Sequence, residues 1–286
     1  YLKESLITFS NLGFLSLFKD IKFLYLRKFS SITSENIETA VAGILFSTEI
    51  AAFLSILKRI FVAIQMFSTG IATSTYTSLS HVFSGLERDR LREAIKNIIY
   101  SFQLIHLFGT SIILASLGPL IFLWLEEKLI FDYSFVLLMA LNVFLVAKLN
   151  LLYSILYTSG NFKSVAYISI GESITRLTLT YWLVSNLDIF GLPLAGIISS
   201  LIALFYIAKL IQEKTGDYIY KIFYPGSGYE LTIYLSALFI GFYNVAKDNV
   251  FSNTVSILLA TFLLFLLIIF SKRVRDLGRL IFKAIK

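Results

Sequence analysis

The 286-residue sequence contains no cysteine, which excludes disulfides, thiolate nucleophiles and thiolate metal sites and leaves the redox compartment unreadable. Charge is scarce too: 15% of residues are Asp, Glu, Lys or Arg, against about a quarter in soluble domains. With 57% hydrophobic residues and a mean hydropathy of +0.80, the chain cannot present its surface to water. The two histidines, His81 and His106, lie far apart without carboxylates at metal-like spacing, so packing is expected of them, and neither a metal nor a cofactor is. No Gly-rich phosphate loop followed by Lys and Ser or Thr is present, and nucleotide hydrolysis by this chain is not expected. Nor is any connection long enough to house a catalytic domain, so an enzyme is not expected. The first apolar block lacks the charged start, short apolar core and small-residue cleavage site of a signal peptide.

What is present is a series of apolar blocks, each long enough to cross a bilayer at about 20 residues and 1.5 Å rise per residue. The reading is an all-α, polytopic membrane bundle of about eight transmembrane helices. The spans are Ser5 to Leu26, Ala40 to Phe67, Ile95 to Phe122, Tyr133 to Tyr157, Val165 to Leu187, Phe190 to Ile207, Leu231 to Ala246 and Val250 to Phe270. Residues 60–83 are rich in Ser and Thr, too polar for lipid contact, and are read as the continuation of one long second helix that leaves the membrane at its C-terminal end. Gln212 to Glu230 mixes Tyr and Lys and breaks at Pro225, Gly226 and Gly228, which suits a surface linker. The tail Arg273 to Lys286 alternates basic residues with Val274, Leu277, Leu280, Ile281 and Ile285 and suits an anionic headgroup surface.

The formal charge of +7 does not point to nucleic acid, because the basic residues fall in short connections and in the tail. Arg88, Arg90, Arg92, Lys96, Lys163, Lys209, Lys214, Lys221 and the tail share one side under the eight-span reading. The opposite side holds little beyond Lys128 and Lys247, with Glu126, Glu127, Asp132 and Asp188. Both termini are therefore expected on the cytoplasmic side. Arg27 and Lys28 run against this, since a first span ending at Leu26 puts them outside.

Charges also fall inside the apolar blocks, where each costs about 2.5–3.5 kcal/mol on insertion scales and usually faces a bundle interior or a water-filled cavity. They are Lys19, Asp20 and Lys22 in span one, Glu49, Lys58 and Arg59 in span two, Lys148 in span four, and Glu172 and Arg176 in span five. Glu172 and Arg176 are four residues apart and share a helix face, as an internal ion pair would. Lys58 and Arg59 suit snorkelling to the surface or a cavity. Collectively these charges describe a polar path with an excess of bases, suited to an anionic headgroup: Lys19, Lys22, Lys148 and Arg176 are candidates to receive it. Asp20, Glu49 and Glu172 are candidates to bind a coupling proton or sodium ion.

Four local features, in order, carry a resemblance: Gly85-Leu86-Glu87-Arg88-Asp89-Arg90; Gly118-Pro119 followed by Leu123-Trp124; Ser159-Gly160-Asn161-Phe162-Lys163; and Phe190-Gly191-Leu192-Pro193-Leu194-Ala195-Gly196-Ile197-Ile198-Ser199. In these the chain resembles the C-terminal half of the polysaccharide flippases, the Wzx-type lipid-linked oligosaccharide branch of the superfamily that also holds multidrug antiporters. It departs from their pattern at Ser74 to Ser80, where they often carry Pro, and at Asp188, where Gly is common. The resemblance implies a six-helix C-terminal lobe over residues 1–210, an interfacial linker over 211–230, two additional helices over 231–271 and a basic cytoplasmic tail over 272–286. A missing six-helix N-terminal lobe would precede it, in keeping with a start at Tyr1 rather than Met. It further implies transport of a polyprenyl-diphosphate-linked oligosaccharide across a prokaryotic plasma membrane for polysaccharide or O-antigen biosynthesis, with polymerase and glycosyltransferases as partners beside the membrane lipids. The alternatives are a cation-coupled drug antiporter on the same fold and a non-transporting scaffold subunit.

Overall fold

The computed structural model describes residues 11–85, 88–125 and 133–216, and these are helical apart from the turns. Six α-helices follow in order: α1 Asn11–Leu45, α2 Thr48–Gly85, α3 Arg88–Leu125, α4 Tyr133–Thr158, α5 Phe162–Leu187 and α6 Gly191–Thr215, with a 3-10 turn at Asp188–Phe190 before the last. No strand occurs among the described residues. Helices are what long apolar runs must form in lipid, because every backbone N–H and C=O is then satisfied within its own segment. Three segments are long and apolar enough to cross a membrane: Leu91–Leu114 in α3, Ser134–Thr158 in α4, and Phe162–Glu213 through α5 and α6. The molecule is thus an α-helical membrane bundle, with three such segments among the described residues rather than eight. The expected spans at Leu231 to Ala246 and Val250 to Phe270, the linker beyond Gly216 and the basic tail lie outside the described residues.

The boundary between the first two spans needs correction. The expected break after Leu26 is absent: α1 continues through Arg27 and Lys28 to Leu45, and α2 starts only at Thr48. The reason is that Arg27 turns into the bundle instead of ending the helix, while Lys28 stays exposed on the helix surface. Arg27 Nη2 donates to Asn150 Oδ1 at 3.0 Å, and its guanidinium lies 5.1 and 5.2 Å from the ring centroids of Tyr153 and Tyr157. The basic pair therefore sits mid-helix and not in a connection. The long continuous helix expected across residues 60–83 is present as the second half of α2.

α4 is the spine. Its N-terminal half, Phe135 to Val143, joins Leu54, Leu57, Phe61, Leu114 and Leu192 in one apolar cluster. Its C-terminal half, Leu145 to Tyr157, joins Ile99, Phe102, Leu204 and Ile207 in a second. His106 packs as a ring, with Phe102 and Phe144 centroids 5.4 and 5.3 Å away, in the packing role the sequence suggests. Outside, α5 and α6 expose Ile174, Leu177, Tyr181, Trp182, Leu201, Ile202, Phe205 and Tyr206, an apolar belt that fits lipid.

Two turns set how α4, α5 and α6 meet. Gly160, at φ 75°, closes α4 with its N–H on Tyr157 O at 2.9 Å and the Asn161 N–H on Leu156 O at 3.2 Å, the paired bonds of a Schellman ending. Asp188 ends α5 at φ 55°, ψ −141°, a conformation that suits glycine. Gly191 then brings the start of α6 onto the backbone of α5: an added Cβ would lie 2.5 Å from Leu183 C and 2.7 Å from Leu183 O. Relief of local strain at Asp188 outweighs the extra unfolded-state entropy of glycine, so Asp188→Gly should stabilise the fold by about 1 kcal/mol. Thermal unfolding in detergent checks this; a lower midpoint than wild type would show that the Asp188 side chain contributes more than its backbone costs.

Candidate functional site

α1 and α5 are inverted with respect to a water-soluble amphipathic helix. On α5 the exposed face carries Ile174, Leu177 and Tyr181, while the buried face carries Ser169, Glu172, Ser173, Arg176 and Thr180. On α1, Phe29 and Ile32 are exposed while Ser30, Ser34 and Glu38 are buried. Polar groups in an apolar solvent turn inward because only there can they find partners.

The partners form one continuous network. Ser169 Oγ donates to Ser30 Oγ at 2.9 Å, Ser30 and Ser173 hydroxyls bond to each other, and Ser173 and Ser34 hydroxyls meet at 2.7 Å. Ser34 Oγ donates to Glu172 Oε2 at 2.9 Å. The Arg176 guanidinium lies at the centre: Nε donates to Glu172 Oε1 at 2.9 Å, Nη1 to Glu38 Oε1 at 3.1 Å, and Nη2 to Ser200 Oγ at 3.0 Å on α6. Asn142 Nδ2 on α4 also donates to Glu38 Oε1, at 2.8 Å, and the Lys58 ammonium on α2 reaches Glu38 Oε2 at 2.6 Å. The Glu38 side chain has 0% exposure, that of Arg176 2% and that of Lys58 16%. Among the described residues, two carboxylates and two cations leave the network neutral. Asn142, Glu172 and Arg176 each lie nine or more residues, about 13 Å, from either end of α4 or α5.

α6 approaches this network through Gly196. A Cβ there would collide with the Asn142 side-chain amide, meeting its Cγ at 2.7 Å and Nδ2 at 2.8 Å. The small residue lets α6 pack against α4 closely enough for Ser199 and Ser200 to join the ion pairs.

A cavity of about 320 Å³ opens beside the network, lined from α1 by Asn36, Glu38 and Thr39, from α2 by Ser55, Lys58, Arg59, Val62 and Gln65, from α4 by Asn142, Val143 and Val146, and from α5 by Arg176. Among the described residues, three cations and one carboxylate border it.

Of the residues expected from sequence, Glu172 and Arg176 are brought together as the ion pair their spacing indicates. Lys148 is buried on α4 but does not line the cavity. Lys22 is exposed on α1, and Glu49 is exposed in the first turn of α2, about 13 Å along the helix from Lys58. The side chains of Lys19, Asp20 and His81, of Ser74 to Ser80 and of Gly118 to Trp124, with Leu86, Glu87, Glu126, Glu127, Lys128 and Asp132, lie outside the described residues. Glu38 was missed, because a break after Leu26 assigned it to a connection. Its signal is the spacing of Ser30, Ser34 and Glu38 at intervals of four, which matches the Ser169, Glu172, Ser173 and Arg176 stripe.

No family profile, curated protein or solved structure matches this chain.

The chemistry therefore rests on the arrangement itself: a buried, balanced ion-pair network with one partly accessible cation, bordering a polar cavity between apolar helices. Removing one member leaves an uncompensated charge in the bundle. Arg176→Met should cost about 3–5 kcal/mol, whereas Glu172→Gln with Arg176→Met restores neutrality around the Glu38–Lys58 pair and should recover most of that loss. Thermal unfolding of the two variants checks this; a double variant no more stable than the single one would show that charge balance is not what the network provides.

Proposed function

We propose that this chain belongs to a flippase that carries a polyprenyl-diphosphate-linked oligosaccharide across a plasma membrane for polysaccharide biosynthesis. The observation that carries the reading is the cavity beside the Glu38, Lys58, Arg176 and Glu172 network, polar and bordered by three cations within a bundle of apolar helices. A diphosphate headgroup needs cationic donors in a space that water can enter, while its lipid tail stays outside among hydrocarbon. The Gly191-to-Ser199 stretch also supports it: residues that carry part of the family resemblance let α6 pack on α5 and α4, and bring Ser199 to Glu172 and the Gly196 carbonyl to Arg176. Asp188, which stands where the family commonly has glycine, holds a glycine-like conformation.

Within this reading Arg176 is not the first group to meet the headgroup. Its donors are committed to Glu172, Glu38 and Ser200, whereas Lys58 and Arg59 project along α2 into the cavity wall. We therefore assign the headgroup to Lys58 and Arg59, with Arg176 fixing the carboxylates behind them, and the coupling ion to Glu38 and Glu172. A drug or cation antiporter on the same fold would require a more acidic lining than one carboxylate among three cations.

The test is the sidedness of lipid-linked glycan in cells depleted of the protein, read with an impermeant reagent that labels outward-facing sugar. Labelling should fall on depletion and return with the wild-type gene, and Arg59→Met, which lines the cavity without belonging to the buried ion-pair network, should restore less than about a tenth of it while reaching the membrane at normal abundance. Outward labelling that persists without the protein would reject the flippase reading.

A further inference from the structure

Resting on the headgroup reading above, the geometry points to an exchange of partners at Lys58: a phosphate-class anion entering the cavity takes the Lys58 ammonium from Glu38, and Glu38 takes up a proton in its place. Anion and proton are then bound together.

The two oxygens of Glu38 are held differently. Oε1 accepts from Arg176 Nη1 at 3.1 Å and from Asn142 Nδ2 at 2.8 Å. Among the described residues, Oε2 meets the Lys58 ammonium at 2.6 Å and has no hydrogen-bond donor besides it. Lys58 is also the member of the network placed to move. Its side chain is 16% exposed on the cavity wall, against 2% for Arg176, and an ammonium on a four-carbon stem reorients where a guanidinium held by Glu172, Glu38 and Ser200 cannot. An anion arriving beside Lys58 and Arg59 therefore attracts Lys58 and leaves Arg176 in place.

Charge balance in the apolar interior couples the proton to the anion. The charged groups facing Glu38 are Lys58 from α2 and Arg176 from α5, with Glu172 on the far side of that guanidinium; α4 supplies the neutral Asn142, and α6 supplies Ser199 and Ser200 to Glu172 and Arg176. Once Lys58 turns to the anion, two carboxylates share one guanidinium, and Oε2 is a buried anionic oxygen without a donor. Such a group is costly. A proton from the water of the cavity, bonded to Oε2, restores neutrality without moving Arg176 or Glu172. No covalent bond of the ligand is made or broken.

The experiment titrates inorganic pyrophosphate into the full chain in phosphatidylcholine nanodiscs by calorimetry at pH 7, in buffers of different ionisation enthalpy. Wild type should take up about 0.5–1 proton per anion beyond that taken up by Glu38→Gln, the difference isolating Glu38 from protonation of the anion itself. Glu38→Gln should also bind pyrophosphate about ten-fold more tightly, because Lys58 no longer has a carboxylate to leave. Pyrophosphate binding with equal proton uptake in both proteins overturns the exchange and leaves the headgroup reading standing; no binding to wild type removes both. Should Glu38→Gln fail to fold, difference infrared spectroscopy of wild type decides: pyrophosphate should raise a protonated-carboxyl band, and its absence overturns the exchange. A polyprenyl diphosphate in the nanodisc that displaces pyrophosphate assigns the site to a lipid headgroup, and failure to displace it assigns the site to a free anion.

Discussion

A guanidinium shared by two carboxylates is the interaction on which the rest of this bundle depends. Arg176 is enclosed by apolar helices, where an unpaired charge is costly, and it reaches compensation only because α1 brings Glu38 to one side and α5 itself brings Glu172 to the other. That requirement fixes the rotation of α1 and α5 about their axes. It also orients α4, whose Asn142 supports Glu38, and α6, whose Ser200 accepts from Arg176.

Apolar burial alone would not specify this arrangement. In lipid, the outer faces of α5 and α6 gain little by turning inward, since hydrocarbon is as apolar as a leucine side chain. Selection among helix rotations falls to polar pairing and to close contact at small residues. Gly196 against Asn142 and Gly191 against the end of α5 supply the second. The two apolar clusters along α4 fill the space above and below the network rather than determining where it lies.

Under the proposed function, the same arrangement would link structure to transport chemistry. A fully enclosed, balanced network would serve stability alone, but this one reaches a cavity on one side, and its most accessible member is a flexible cation. Arg176 is confined to holding carboxylates in place, whereas Lys58 and Arg59 face the space in which an anionic headgroup would sit. On that proposal, positioning and binding are divided between two helices.

The sequence by itself determined that the chain is helical and lives in lipid, because hydropathy and run length depend on composition along the chain. It also marked the Glu172–Arg176 pair, since spacing of four is a property of one helix. It misplaced the break in α1: a cluster of charges reads as an interface until it is known that Asn150, Tyr153 and Tyr157 from α4 receive Arg27. Glu38 went unrecognised for the same reason, as its partners lie on α2, α4 and α5, 20 to 138 positions away. Which charges pair, which one borders the cavity and which merely end a helix were decided only by tertiary structure, because pairing is a matter of distance between helices, and no periodicity along one helix contains that distance.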